Sequence, residues 1–335
     1  MIYGRTAVIL LLILIQILVM VFGIYFLTDS WTYLYGVFSI IGTIAVIYII
    51  NSEDNPAFKL TWVLCIMALP IFGTFFYIYV KSEIGTRYIG KRLETLRQEA
   101  EEYMCQDMEI IDAMKESKLA NKNLSFYLGK HMGFPTYGNT RLEYYPLGED
   151  KFDALKRELR KAEHFIFMEY FIVEGGEMWD EVRHILEEKV AEGVEVRFMY
   201  DGMCSISKLP SDYPWYLRRR GIRCKVFNPI NPIVSTIQNN RDHRKICVID
   251  GKVGFTGGVN LADEYINRRE RFGHWKDTAI MLEGDAVQSL TIMFLQMWNI
   301  DEKKSDAYEK YLYPSRKPFD PKDGYVLPYG DTPYD

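Results

Sequence analysis

His243-Arg244-Lys245-Ile246-Cys247-Val248-Ile249-Asp250, with Gly257-Gly258-Val259-Asn260 just after it, is the stretch on which the reading of this chain turns. It has the form HxKxxxxD. The apolar run after Lys245 predicts a buried strand, and the two-residue period of a strand puts His243 and Lys245 on one side. Both can then reach a single phosphate. Lysine supplies a cationic point charge for phosphoryl oxygens. A histidine neutral near pH 7 can attack phosphorus as a nucleophile. Asn260 can donate a side-chain N–H to the same oxygens, and Gly257 and Gly258 let the backbone come close. Asp250 completes the catalytic motif. Its place at the opening of an Asp250-Gly251 turn suits a structural part in it.

Outward from the motif, strand and helix patterns alternate. Strands are expected at Leu142–Tyr145, His164–Val173, Val194–Tyr200, Cys224–Phe227, Lys245–Ile249, Val253–Thr256 and Thr278–Glu283. Helices are expected at Asp150–Ala162, Glu177–Glu192, Tyr213–Arg220 and Asp285–Trp298, the second and third ended by Gly193 and Gly221. This order predicts an α/β fold, a layered sheet flanked by helices. Lys91–Lys118 reads as one charged connecting helix with Leu93, Leu96, Met104, Met108, Ile111 and Met114 on its apolar face.

The residues before about Val80 are almost uncharged. Residues 7–27 form an apolar run of roughly 31 Å at about 1.5 Å per residue, enough for a bilayer core. A second stretch covers 31–50. A third, 62–80, contains Pro70 and Gly73 and reads as a span or as a kinked or re-entrant helix. A signal peptide would have a shorter apolar region and a small-residue cleavage site. Two or three N-terminal transmembrane helices are therefore expected. The basic cluster Lys81, Arg87, Lys91, Arg92 and Arg97 puts the larger domain in the cytoplasm, against the single opposing Arg5. The net charge of -5 argues against a nucleic-acid binder. Five cysteines with no CxxC pair suggest neither a disulfide framework nor a zinc site.

The organisation expected is a membrane anchor at 1–80, a connecting helical region at 81–135 and an α/β catalytic domain at 136–313. A linker follows at 314–335, with the start of a truncated second unit. Tyr144-Tyr145-Pro146-Leu147-Gly148-Glu149-Asp150 is faintly echoed by Tyr325-Val326-Leu327-Pro328-Tyr329-Gly330-Asp331.

HRKICVIDGKVGFTGGVNLADEYINR, with the Trp275-Lys276-Asp277 that follows, resembles the first catalytic half of bacterial cardiolipin synthases, in the phospholipase D superfamily. MEYFI at 168–172, YDG at 200–202 and the apolar stretch from Asn55 to Tyr79 resemble the same enzymes. The resemblance implies a phospholipase D-like sheet and a phosphatidyltransferase that joins two phosphatidylglycerols into cardiolipin and glycerol. It implies a phosphohistidine and no metal or other cofactor. Two HKD motifs would meet across a pseudo-twofold axis. One histidine attacks the phosphodiester while the other protonates the leaving alcohol. Lysines and asparagines neutralise the developing charge. A carboxylate orients each histidine, and Asp277 matches that group.

Of the five histidines, only His243 stands in an HxKxxxxD frame; His274 does not. With the second motif missing, the chain is expected to be a truncated synthase, inactive alone. The alternatives are a partner carrying the second half, or a twofold dimer of this chain. A phosphodiesterase active as a homodimer and a catalytically silent lipid-binding membrane protein are the competing functions. The expected partners are phosphatidylglycerol and other anionic phospholipids at the cell membrane, with no nucleic acid.

Overall fold

The structure, a computed structural model, describes residues 17–18, 21, 25, 28–81, 84–116, 122–204, 208–229, 241–313 and 324–332. They divide into two compact units, one up to Arg87 and the other from Tyr88 onward.

The first unit is helical: α1 (Thr28–Asn51), α2 (Pro56–Ala68) and α3 (Pro70–Lys81). Asn55 caps α2, accepting the Ala57 N–H at 2.9 Å, and Pro56 fits the first turn, where no N–H is needed. Pro70 lacks an amide N–H and cannot continue α2, so the chain breaks at Leu69 and restarts as α3. The stretch 62–80 is therefore two helices of 13 and 12 residues and not one span. Helix α1 runs through 31–50, beginning three residues earlier than the sequence suggests. Most of 7–27 lies outside the described residues. Among the described residues, no helix is long and apolar enough to cross a membrane. Gly73 brings α2 and α3 together: a Cβ there would lie 2.7 Å from the Cys65 carbonyl oxygen.

The second unit opens with α4 (Ile84–Ala100), α5 (Met108–Glu116) and α6 (Lys122–Met132). The single helix expected over Lys91–Lys118 is therefore two. A 3₁₀ turn at Glu101–Tyr103 ends the first, and Asp107 starts the second by accepting the Glu109 N–H at 2.9 Å.

A seven-stranded sheet follows: β1 (Thr140–Tyr145), β2 (Phe165–Tyr170), β3 (Glu195–Asp201), β4 (Arg223–Phe227), β5 (Ile246–Ile249), β6 (Val253–Gly257) and β7 (Ala279–Gly284). Their order is β1-β7-β6-β5-β2-β3-β4. Helix α7 (Gly148–Leu159) leads from β1 to β2; strands β2, β3 and β4 are parallel, joined by α8 (Glu177–Ala191) and α9 (Tyr213–Arg218). The other neighbours pair antiparallel. The layered α/β sheet expected from the sequence is thus present.

Alternation sorts the side chains into two cores. Met168, Tyr170, Phe198, Tyr200, Cys247 and Ile249 lie with α7 and α8 residues on one face. Phe165, Phe167, Ile246, Val248 and Leu282 lie on the other, with α10 (Val287–Trp298). Residues 324–332 are extended, and Val326 exchanges two backbone hydrogen bonds with Tyr137, at 2.8 and 2.9 Å.

Candidate phosphate-handling site

Strand β5 delivers the motif. His243 and Lys245 project from its N-terminal end on the same side, and Lys245 Nζ lies 3.0 Å from His243 Nδ1. The Lys245 ammonium also donates to the His243 carbonyl. Lys245 is buried, whereas His243 reaches the surface. Phe171, just past β2, packs its ring against the imidazole with centroids 4.6 Å apart.

Burial pushes the Lys245 amine down to about 8, while Asp242 and Asp277 act the other way. The protein around the His243 ring removes part of its water. That effect, with the nearby Lys245 cation, pushes the imidazole below its ordinary value against the pull of Asp242 and Asp277. The ring is thus biased towards its neutral form.

The paired glycines have a steric reason. Gly257 has φ 142°, and a Cβ on it would sit 2.5 Å from the Thr278 carbonyl oxygen. A Cβ on Gly258 would sit 1.8 Å from Asp277 Oδ1. The loop after β6 therefore lies against the start of β7, which brings Asp277 close enough to act on both His243 and Lys245.

Asn260 is buried in the same loop with both ends of its amide engaged. Its Oδ1 accepts the Ile172 N–H at 2.9 Å and its Nδ2 donates to Tyr265 Oη at 2.9 Å. One Nδ2 proton is left for a ligand.

Asp250 is not brought to this cluster. It lies at the opposite end of β5, on the order of 20 Å from His243 at strand spacing. Its buried carboxylate accepts backbone N–H groups from Glu163 (2.8 Å), His164 (2.7 Å) and Phe165 (2.8 Å). Its φ of 51° makes the turn into Gly251. What it holds is the register of β5 against the start of β2.

Several residues of the site were not singled out in the sequence. Arg244, next to His243, forms buried ion pairs with Glu169 of β2 and with Asp242 on the other side of His243. Burial pushes the Glu169 carboxyl up, with Asp242 adding to the effect and Arg244 opposing it. Asp201, at the end of β3, accepts the Asp242 N–H at 3.1 Å, and burial pushes its carboxyl up to about 6. Glu169 and Asp201 fall within the MEYFI and YDG segments. Buried acids at the ends of two neighbouring strands were the available signal. Among the described residues, no cluster of His, Cys, Asp or Glu is arranged to hold a metal ion.

A neutral imidazole at the surface, a buried ammonium against its Nδ1 and a carboxylate near both form a cluster able to bind and attack a phosphodiester. The family models and the curated relatives agree with this chemistry. The family described as "Cardiolipin synthase, PLD-like domain" matches residues 155–298, and "Phospholipase_D-nuclease N-terminal" matches residues 40–81. An uncharacterized protein of Streptococcus mutans is 50% identical over 291 residues, covering 87% of this chain and 63% of its own length. A cardiolipin synthase of Geobacillus thermodenitrificans is 34% identical over 316 residues, covering 90% of this chain and 61% of its own. Among solved structures, Nuc from Salmonella typhimurium, a phospholipase D family member, is 16% identical. It covers 51% of this chain and 100% of its own, with a TM-score of 0.37. Residues 155–298 thus carry a phospholipase D-like domain of the cardiolipin synthase type. It spans less than two thirds of the length of these curated relatives.

Proposed function

We propose that this chain carries the first half-site of a cardiolipin synthase-type phosphatidyltransferase, with His243 as the nucleophile that takes the phosphatidyl group. The observation that carries the reading is the 3.0 Å contact between Lys245 Nζ and His243 Nδ1.

With an ammonium donating to Nδ1, the neutral ring keeps its proton on Nε2, the outward nitrogen. An arriving phosphodiester draws Lys245 onto its oxygens. Nδ1 is then free to hold the proton towards Asp277, and Nε2 is exposed as the nucleophile. Attack forms the Nε2–P bond and breaks the bond to the glycerol oxygen of phosphatidylglycerol. Lys245 and the remaining Asn260 N–H offset the charge that builds on the phosphoryl oxygens. The leaving alkoxide needs a proton, and the incoming hydroxyl must lose one. A second imidazole does this, supplied by another HKD half or by a second copy of the chain. Asp250 serves as a strand anchor within the motif, and no step of this chemistry needs a metal or other cofactor.

The lipid reading is supported by the helical unit. Val37, Ile40, Ile41, Ile44, Ile47 and Ile50 of α1 are exposed, as are Phe58, Leu60, Leu64 and Met67 of α2. Apolar surface this extensive marks an interaction site, and we assign it to the bilayer of the cell membrane. The α/β unit then lies on the cytoplasmic side. Extraction at alkaline pH tests this: release of the chain from membranes would refute it.

Purified chain in phosphatidylglycerol vesicles tests the reaction. Cardiolipin with glycerol, formed alone or after adding a second HKD half, supports the transferase. Phosphatidic acid marks a hydrolase, and no product under either condition marks a silent lipid binder. His243→Ala abolishes any turnover, and retained activity in that variant refutes the assignment.

A further inference from the structure

The residues flanking His243 are tied down by buried charge. Arg244 Nε lies 2.7 Å from Glu169 Oε1 and 3.3 Å from Asp242 Oδ1. Its Nη2 lies 2.7 Å from the same Glu169 oxygen and 3.4 Å from the Met293 carbonyl on α10. Asp242 also accepts the Arg244 backbone N–H at 3.2 Å. Behind it, Asp201 takes the Asp242 N–H, and Arg241 Nη1 lies 3.3 Å from Asp201. Two adjacent strands, β2 and β3, thus supply the carboxylates that hold residues 241, 242 and 244. His243 and Lys245 point to the other face.

This array is costly. Glu169, Asp242 and Asp201 are at most 3% exposed, and Glu169 Oε2 has no hydrogen-bond partner among the described residues. Apolar side chains filling the same space are often as stable or more so. A stability role alone does not explain why it sits on both sides of the imidazole. Its place in the chain does: with 242 and 244 both pinned just before β5, the residue between them has little freedom to turn.

We propose that Arg244 is a positioning residue for His243, its planar fork shared between Glu169 and Asp242 so that the imidazole is held against Lys245. The proposal rests on His243 being the reactive ring, but its test reads the ring without substrate. The charged groups facing His243 are Lys245, Asp242 and Asp277; those facing Arg244 are Glu169 and Asp242.

The test is the NMR titration of ¹⁵N-histidine-labelled full chain in nanodiscs, with the His243 signal assigned by its loss in His243→Ala. Arg244→Lys keeps the charge and loses the fork. An electrostatic role would leave the midpoint where it is. A positioning role moves it up, towards the ordinary imidazole range, as the ring leaves Lys245, and changes the tautomer shift at Nδ1. Glu169→Gln, which keeps one acceptor oxygen, gives a smaller change in the same direction. An unchanged midpoint in a folded variant overturns the proposal. So does loss of the fold in both variants, which would make the array structural. If wild-type chain forms no lipid product even with a second HKD half added, the functional reading fails while the titration result stands.

Discussion

Asp250 is part of the motif yet stands at the far end of its strand, so its replacement separates anchoring from chemistry. In Asp250→Ala the three N–H groups of residues 163–165 lose their acceptor. Glu163 and His164 are exposed, so water can replace the carboxylate there, at a cost of about 1 kcal/mol each. Phe165 is 2% exposed, and its N–H is left without a partner, at about 1–3 kcal/mol. The total is about 3–5 kcal/mol. Asp250→Asn keeps Oδ1, which serves His164 and Phe165, and places an NH₂ against the Glu163 N–H. It costs roughly 1–2 kcal/mol, and asparagine tolerates the positive φ. Urea denaturation followed by near-UV circular dichroism reads both, with phosphohistidine formation measured on the folded fraction. The alanine variant is expected to lose most of its stability. The asparagine variant is expected to keep the rate of adduct formation within a few-fold. A fully stable Asp250→Ala, or a folded Asp250→Asn without chemistry, would refute the anchoring role.

Three further outcomes are expected. Gly258→Ala drives Asp277 off the site, because the new methyl would meet its carboxylate, and should slow adduct formation at least tenfold with little change in melting temperature; an unaltered rate removes Asp277 from the account. Lys245 is charged below about pH 8, so binding of a short-chain phosphodiester should weaken as pH rises through 8, and Lys245→Met should bind weakly at every pH; calorimetry across pH 7–9 reads both, and a flat wild-type profile contradicts the assignment. Arg197 is 1% exposed, pairs with Glu195 on its own strand (2.7 Å), and ties β3 to the segment after α10 through Asp306 (2.6 Å) and the Tyr311 hydroxyl (2.7 Å). Arg197→Met should cost about 3 kcal/mol in denaturant, because its partners are partly buried; a neutral result would show that water takes its place.

Much of this was legible in the chain itself. The two-residue period around Lys245–Ile249 was enough to put His243 and Lys245 side by side, because a short strand leaves them no other arrangement. Paired glycines gave the close loop, although not its cause, which is the Asp277 carboxylate lying where a methyl would be. Asp250 was harder to place. Its spacing in the motif suggests the site, while its partners lie some 85 residues earlier in the chain, a distance no local pattern reports. The same holds for Glu169 and Asp201, acids within apolar strands whose meaning depends on which strands become neighbours. The helix expected over 91–118 failed for a local reason: apolar spacing carries on through 101–107, but Asp107 makes a better start than a middle. The tail at 324–332 echoes β1 in sequence, yet what it makes is a single two-bond bridge to Tyr137.

The proposed chemistry depends on Nε2 of His243 attacking phosphorus, and a nitrophenyl phosphodiester tests that step without the second half-site, because its leaving group needs no acid. Incubation with the chain, alkaline quenching and peptide mass spectrometry should find an acid-labile phosphoryl group on His243, with one nitrophenolate released per adduct and neither in His243→Ala. Nitrophenolate released at the same rate by that variant, or a phosphoryl group on another residue, would contradict it.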